Sequence, residues 1–451
     1  MQPISGGVAS RLEAKAASFV KDNRLPGAAV GVVHGDELAW SAGIGFADVA
    51  GRRRPETATL YRIASITKTF TGLAIMYLRD AGKLRLDDPI GKHVPEVARL
   101  EGVTIRRLLS HESGLQCEPP DTDWRQVRYE ASIAKNLARA AEIDTRVQPN
   151  TQQKYSNLGF QLLGEVVTRC SGMPYVDYMR SRIIEPLGMT GTGFEPLPPV
   201  LAKRRAIGYA GRFVSDELEP ASIPPTIYAE GGLWSCVDDL ARWISHQFED
   251  DPTLREMHTP RYLADEAWTQ AYGIAWAATR HNDVIWVNHS GGLHGFRSNI
   301  CFDPKHRVGA IALINGAGDA MTLAVELAEI ARETVAASPP RIEAPEPAPE
   351  RYRPLLGVYF SPELGLTRRV EWRDGKLTIL APELPEWRPT LAPSADPDLF
   401  VIEPGFRESG ENAVFNRLPD GRVASVFIAA GTWMRLEPVS PLPAAPRPAA
   451  R

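Results

Sequence analysis

The feature that most constrains this chain is a change of pattern at residues 336–354, "AASPPRIEAPEPAPERYRP". Proline and acidic residues displace the apolar periodicity there, and such a segment is extended and semi-rigid. It divides 451 residues, a length that suggests two or three domains, into stretches with different rhythms. We expect a first domain over 1–336, a linker over 337–351, a second domain over 352–438 and a tail over 439–451. The tail, "VSPLPAAPRPAAR", is expected to be disordered, because it lacks the apolar side chains that offset the entropy of ordering.

Before the linker, helix and strand patterns are mixed. "PGAAVGVVHGDELAWSAGIGFADV" reads as two strands around a turn at His34-Gly35-Asp36. Its Gly43 and Gly45 do not complete a G-x-G-x-x-G element, and no helix follows, so a dinucleotide loop is excluded. Helical periodicity begins near Ile66 and returns in "TIRRLLSHESG", "LGFQLLGEVVTRCSG", "DDLARWISHQF" and "MTLAVELAEIARETV". Strands return in "VIWVNHS", "GFRSNICFD" and "RVGAIALING". Strands at both ends with helices between imply an α/β (α+β) domain, in which the first and last strands meet in a central antiparallel sheet. After the linker nearly every segment is a short strand: "LLGVYF", "TRRVEW", "KLTIL", "DLFVIE", "NAVFNRL", "VASVFIAA" and "TWMRLE". Asp374-Gly375 and Asp420-Gly421 mark hairpins. A small antiparallel barrel of about eight strands fits.

Composition removes several classes of function. The net charge of −4 and the lack of a basic stripe argue against nucleic acid. The amino-terminal segment lacks the charged, apolar and small-residue order of a secretory signal. "TGLAIMYL" and similar stretches are too short to span a bilayer. We therefore expect a soluble, cytoplasmic protein. Cys117, Cys170, Cys236 and Cys301 are far apart, without C-x-x-C spacing, which argues against a zinc site. In a reducing compartment it also argues against disulfides. No metal or cofactor is expected.

The chemistry begins at "SITK". Ser65 and Lys68 are three apart at the start of an apolar run, a spacing that puts both on one face of a helix. A serine hydroxyl becomes nucleophilic when a neighbouring base takes its proton, and a lysine serves as that base where burial favours its neutral form. Ser65 at a helix amino end would also meet free N–H groups that favour negative charge. Spacing alone proves little, because "SIAK" repeats it at Ser132 and Lys135. That copy lies in a polar, charged pattern that reads as an exposed helix face. Two further segments single out Ser65. "YSN" supplies Tyr155, a phenol able to relay a proton, and Asn157, an amide able to hold the lysine or a substrate. "VNHSGG" brings an apolar strand into His289, Ser290, Gly291 and Gly292. The paired glycines allow a close backbone approach. A strand edge there would aim an N–H at a developing oxyanion beside the N–H of Ser65.

Together Ser-x-x-Lys, Tyr-x-Asn and His-Ser-Gly, in this order, resemble the penicillin-binding proteins and class C β-lactamases. "LRLDDPIGKHVPE", "TIRRLLSHESGL", "PLGMTGTGF" and "EGGLWSCVDDLARWI" look like the same family, so that the resemblance covers roughly residues 10–335. It implies that Ser65 forms an acyl-enzyme, Lys68 and Tyr155 move protons, and Asn157 orients the site. It also implies that the backbone N–H groups of Ser65 and Gly292 form the oxyanion hole. His289 stands where many members carry the lysine of a Lys-Thr-Gly motif, and Ser290 and Gly291 complete that motif. A histidine is partly neutral near pH 7, which argues against penicillin hydrolysis and towards members that are D-aminopeptidases, esterases or peptide cyclases.

Other residues admit two readings. His294 and Arg297 either touch substrate or end a strand at the surface. Trp234 lines the pocket or packs in the core. Gly231 and Gly232 either leave room for a substrate backbone or make a turn. Rival enzymes lack their motifs: there is no G-x-S-x-G elbow, and "HESG" at His111 is not H-E-x-x-H. With a lipocalin-like barrel after the catalytic domain, the layout resembles penicillin-binding-protein-type thioesterases, which release and cyclise nonribosomal peptides with a D-configured terminus. It resembles cytoplasmic D-stereospecific peptidases equally. The implied partners are a peptidyl thioester or peptide-like substrate and a peptidyl carrier protein. A non-catalytic binding descendant of the fold is the remaining class.

Overall fold

The computed structural model describes residues 4, 6–119, 133–209, 227–263, 269–282, 284–293, 295–336, 348–362, 366–381, 388–403, 410–428 and 431–436. It divides into two units, 1–339 and 340–451. Most of the linker and the whole tail anticipated from sequence fall outside the described residues.

In the first unit, β1 (Gly27–His34) and β2 (Glu37–Gly45) form a hairpin whose turn uses Gly35 at φ 61°. A short pair follows, β3 (Tyr61–Arg62) with β4 (Trp234–Ser235). Then come β5 (Tyr262–Leu263), β6 (Gln270–Tyr272), β7 (Ala277–His281), β8 (Val284–Leu293), β9 (Phe296–Asp303) and β10 (Val308–Ile314). The main sheet has eight strands in the order β2-β1-β10-β9-β8-β7-β6-β5. Its first and last segments do meet: β1 pairs antiparallel with β10 from Ala28↔Ile314 to His34↔Val308.

Helices cover both faces of this sheet. α1 (Gly6–Asp22) and α6 (Ala320–Ala336) share one core with Ala28, Val30 and Val32 of β1. Ala29 and Val33, on the alternate face, join the larger core, as a period of two requires. That core contains α2 (Thr67–Asp80), α3 (Asn157–Ser171) and α5 (Val237–His246). α4 (Tyr228–Gly231) is a single turn. α1 was not anticipated from sequence, although its buried residues Val8, Leu12, Ala16 and Val20 recur every fourth position.

In the second unit, eight strands from Gly357–Ser361 to Gly431–Arg435 close into an antiparallel barrel with neighbours in chain order. Asp374 and Gly375, at φ 48° and 73°, make the two-residue hairpin loop that "DG" announces. Asp420-Gly421 instead sits in a longer loop beside a register shift at Asn416/Arg417. Thr390–Pro393, the strand not named from sequence, follows Pro389 and ends at Pro393, two prolines that obscure its pattern. The interior is filled by side chains, among them Tyr359, Ile379, Phe400, Ile402, Phe415 and Val426.

Candidate active site

Ser65 sits on a sharp strand-to-helix turn. β3 ends at Arg62, and the Ile63 N–H donates to the Leu233 carbonyl at 3.1 Å. Ala64 then adopts φ +46°, a left-handed conformation that costs a non-glycine residue about 1–2 kcal/mol. A single 3₁₀ turn, Ala64–Ile66, runs directly into α2. The turn is held from the sheet side, where Ser298 Oγ donates to the Ile63 carbonyl at 2.9 Å. Ser65 is partly exposed while its neighbours on both sides are buried. It lies at the helix amino end, where backbone N–H groups lack intrahelical acceptors.

Lys68 lies one turn further on and is 0% exposed. Its Nζ is 3.1 Å from Ser65 Oγ, and donates to Asn157 Oδ1 at 2.8 Å and to the Glu230 main-chain carbonyl at 2.8 Å. No carboxylate is within ion-pair distance of it among the described residues. α4 is pinned to α2, which fixes that carbonyl: Thr71 Oγ1 donates to the Ala229 carbonyl at 2.6 Å, and the Leu233 N–H donates to Thr67 Oγ1 at 3.2 Å. Asn157 opens α3, while Ser156 caps that helix by accepting from the Gly159 N–H at 2.9 Å. The Asn157 amide also donates to Glu118. Tyr155 places its ring centroid 5.0 Å from Lys68 Nζ and lies tilted against the His111 ring, with centroids 4.2 Å apart.

The third motif is on β8. β7 pairs with β8 only as far as Asn288, whereas β9 pairs as far as Leu293. From His289 onward the strand therefore has one open edge, as expected, although β8 as a whole is interior to the sheet. Gly291 is required there: a Cβ would lie 2.1 Å from the Ile63 carbonyl oxygen. Asn299 donates to Ser290 Oγ at 2.8 Å.

His289 differs from the sequence reading. It is 4% exposed, and burial drives its imidazole down to about 3, with Lys68 adding to the fall. At neutral pH it is therefore uncharged, not partly so, and β8 carries no cation at that position. Nδ1 lies 2.7 Å from the Ser290 carbonyl, so it carries the hydrogen. Nε2 then accepts from the Tyr272 hydroxyl at 2.8 Å. No hydrogen bond links His289 to Ser65 or Lys68 among the described residues.

Ser65, Asn157, Gly231 and Gly292 line one pocket of about 180 Å³, with Ala64, Ile227, Glu230 and Leu293 completing the wall. Trp234 is in the core instead, 0% exposed, beneath the guanidinium of Arg62. Gly232 packs on Tyr228, where a Cβ would come within 2.7 Å of the Cα. Arg297 pairs with Gly292 across the strands. His294 and Ser132 lie outside the described residues, and Lys135 is exposed. Sequence reasoning missed Glu230, Tyr272 and His111 as members of the site. Glu230 was visible as the acid before "GG", whereas "QAYG" around Tyr272 offers no signal.

Comparison with known proteins bears on the family and the fold. The β-lactamase family model matches residues 12–333. "Protein flp" of Staphylococcus aureus (strain COL) is 30% identical over 315 residues, 66% of this chain and 61% of that protein. "Beta-lactamase-like protein 2" of Dictyostelium discoideum is 28% identical over 317 residues, 65% of this chain and 56% of that protein. The chain thus spans about three fifths of the length of the curated relatives it matches. The octameric penicillin-binding protein homologue of Pyrococcus abyssi superposes with a TM-score of 0.63 at 25% identity, covering 94% of this chain and 99% of that one. A β-lactamase/D-alanine carboxypeptidase of Yersinia pestis shares the fold, with a TM-score of 0.62 at 22% identity over 73% of this chain and 100% of that one. From the family match over residues 12–333, the chain belongs to the β-lactamase and penicillin-binding protein family.

Proposed function

We propose that the chain catalyses acyl transfer through Ser65, with a peptide-like ester, thioester or amide as acyl donor. The observation that carries this is the 3.1 Å approach of Lys68 Nζ to Ser65 Oγ, with the lysine buried and no carboxylate within ion-pair distance of it among the described residues. In this reading Lys68 takes the Ser65 proton as Oγ attacks the carbonyl carbon. The N–H groups of Ser65 and Gly292 receive the oxyanion. Tyr155 relays the proton to the leaving group. Asn157 and the Glu230 carbonyl keep Lys68 on its rotamer, so the site needs little reorganisation during attack. A deacylating nucleophile then attacks the acyl carbon, the bond to Ser65 Oγ breaks, and the proton the nucleophile gives up returns to Oγ.

For that nucleophile our reading is the substrate's own amino terminus. The enzyme would release a peptide from a thioester, such as one on a peptidyl carrier protein, and close it head to tail. The uncharged His289 supports donors that bring no carboxylate next to the scissile bond. Hydrolysis of D-configured peptides, amides or esters uses the same first step with water as acceptor.

Peptidyl thioester mimics with D- or L-configured termini, analysed by mass spectrometry, separate these readings. Cyclic product that disappears in Ser65→Ala supports cyclisation. Linear acid alone, or cleavage of D-amino-acid amides, supports the hydrolase. A wild-type protein that forms no adduct at Ser65 with a fluorophosphonate or a thioester would be a binding protein.

A further inference from the structure

The Asn157 side chain has two partners of opposite kind, and the chemistry above uses one of them. Its Oδ1 accepts from Lys68 Nζ at 2.8 Å, and its Nδ2 donates to Glu118 Oε1. An amide is nearly symmetric in shape, so its partners decide which way it faces. A carboxylate accepts from an N–H and repels an amide oxygen. Glu118 therefore turns Nδ2 towards itself and leaves Oδ1 for Lys68. The Cys117 thiol, 3.6 Å from the same Glu118 oxygen, is a weak donor and does not displace the amide. Glu118 lies in a loop 39 residues before Asn157, and that loop is tied to the start of α3. The Cys117 carbonyl accepts from the Asn157 N–H at 2.8 Å and from the Leu158 N–H at 3.0 Å. Ser156 Oγ donates to the Gln116 carbonyl at 2.7 Å, and Gln116 Nε2 donates to the Glu118 carbonyl at 2.9 Å. The carboxylate thus meets the amide from a backbone held in place.

We propose that Glu118 is a positioning residue for acyl transfer: by fixing the Asn157 amide with its oxygen towards Lys68, it holds Nζ within reach of Ser65 Oγ. This rests on the reading of Ser65 as the nucleophile and Lys68 as its partner. The relay runs from Glu118 Oε1 through Asn157 to Lys68 Nζ, which is 3.1 Å from Ser65 Oγ. It is geometric, and no proton moves along it. An amide turned over would set Oδ1 against the carboxylate and Nδ2 against Nζ, like facing like at both ends. Without an acceptor at residue 118, only the Lys68 contact opposes that turn. Beside Ser65, Lys68 then keeps the Glu230 carbonyl as its one fixed acceptor among the described residues. One such bond does not set the direction of a flexible four-carbon side chain. A displacement near 1 Å between reacting groups is enough to slow a reaction about 10²-fold.

The test is the rate of Ser65 labelling by a fluorophosphonate near neutral pH, followed by intact mass. It compares wild type, Glu118→Leu, Glu118→Gln, Asn157→Ala and the double variant Glu118→Leu with Asn157→Ala. Glu118→Leu occupies the position without an acceptor, and its limiting rate is expected to fall about 10- to 100-fold. The probe concentration giving half that rate should hold within about twofold, because alignment on Oγ is lost and probe binding is not. Glu118→Gln keeps an acceptor oxygen and should come within about fivefold of wild type, a neutral hydrogen bond being about half as strong as a charged one. In Asn157→Ala the relay is already cut, so adding Glu118→Leu should slow labelling by no more than about twofold. Four outcomes overturn the proposal while leaving acylation of Ser65 standing: a full-rate Glu118→Leu, a loss carried by the half-saturating concentration, a Glu118→Gln as slow as the leucine variant, or an equal loss in the Asn157→Ala background. Should Glu118→Leu fail to fold, Glu118→Ala takes its place with the same expectations. A wild type that is not labelled at Ser65 removes the reading beneath it.

Discussion

Lys68 holds the site together as well as serving it. Its Nζ meets Asn157 Oδ1 and the Glu230 carbonyl, both at 2.8 Å. Lys68→Met keeps most of the packing volume but leaves these buried acceptors without a donor, at about 1–3 kcal/mol each. We expect a lower midpoint in urea together with Ser65 acylation slowed by about 10²–10⁴-fold. A variant that lost stability and acylated normally would deny the lysine its role as base. His289 makes a different kind of prediction, because it titrates. Its folded value of about 3 lies below the ordinary 6.5. The unfolded chain therefore takes up a proton that the folded chain refuses, and stability falls as pH drops from about 6.5 towards 3. His289→Gln removes this term, so its melting temperature should fall less than wild type between about pH 7 and pH 5. Tyr272→Phe leaves Nε2 without its donor and should cost about 1–3 kcal/mol at pH 7, read from urea unfolding.

At the scale of elements, two glycines required for different reasons separate cleanly. Gly291 stands on β8 where a Cβ would lie 2.1 Å from the Ile63 carbonyl, two residues before Ser65. Gly291→Ala must push that turn away from the sheet. The cost is about 1–3 kcal/mol of overpacking, and a displacement near 1 Å slows acylation about 10²-fold. Gly375 has open space around the missing Cβ but sits at φ +73°. Gly375→Ala should therefore cost only the backbone term of about 1–2 kcal/mol, with the Ser65 labelling rate unchanged. Unfolding curves and labelling rates measured on the same two variants check both statements. The contrast also shows what was legible. The helix after Ser65 and the "DG" hairpin follow from periodicity and turn chemistry, which act over a few residues, whereas the pairing of β1 with β10 follows from the order of strands and helices along the chain. The positive φ at Ala64, the Tyr272–His289 bond and the Glu230 main-chain carbonyl on Lys68 join segments from 17 to 162 residues apart or depend on them. No local rule reaches that far.

At the scale of the whole molecule, the two units have separate apolar cores. Residues of the first unit build the two clusters around the main sheet. Tyr352, Leu355, Tyr359 and the inward-facing residues of the barrel strands build the other. A unit with its own core is able to fold without its neighbour. The pocket draws every lining residue from the first unit. Residues 1–339 alone should then label at Ser65 within about twofold of the full chain, since they keep every lining residue. The acyl-enzyme's fate need not follow. If the ratio of cyclic to linear product changes on removing residues 340–451 while the labelling rate does not, the barrel acts in the second half-reaction, where an amine must compete with water. If labelling itself fails in a folded 1–339 fragment, the first unit is not a self-sufficient acylation site.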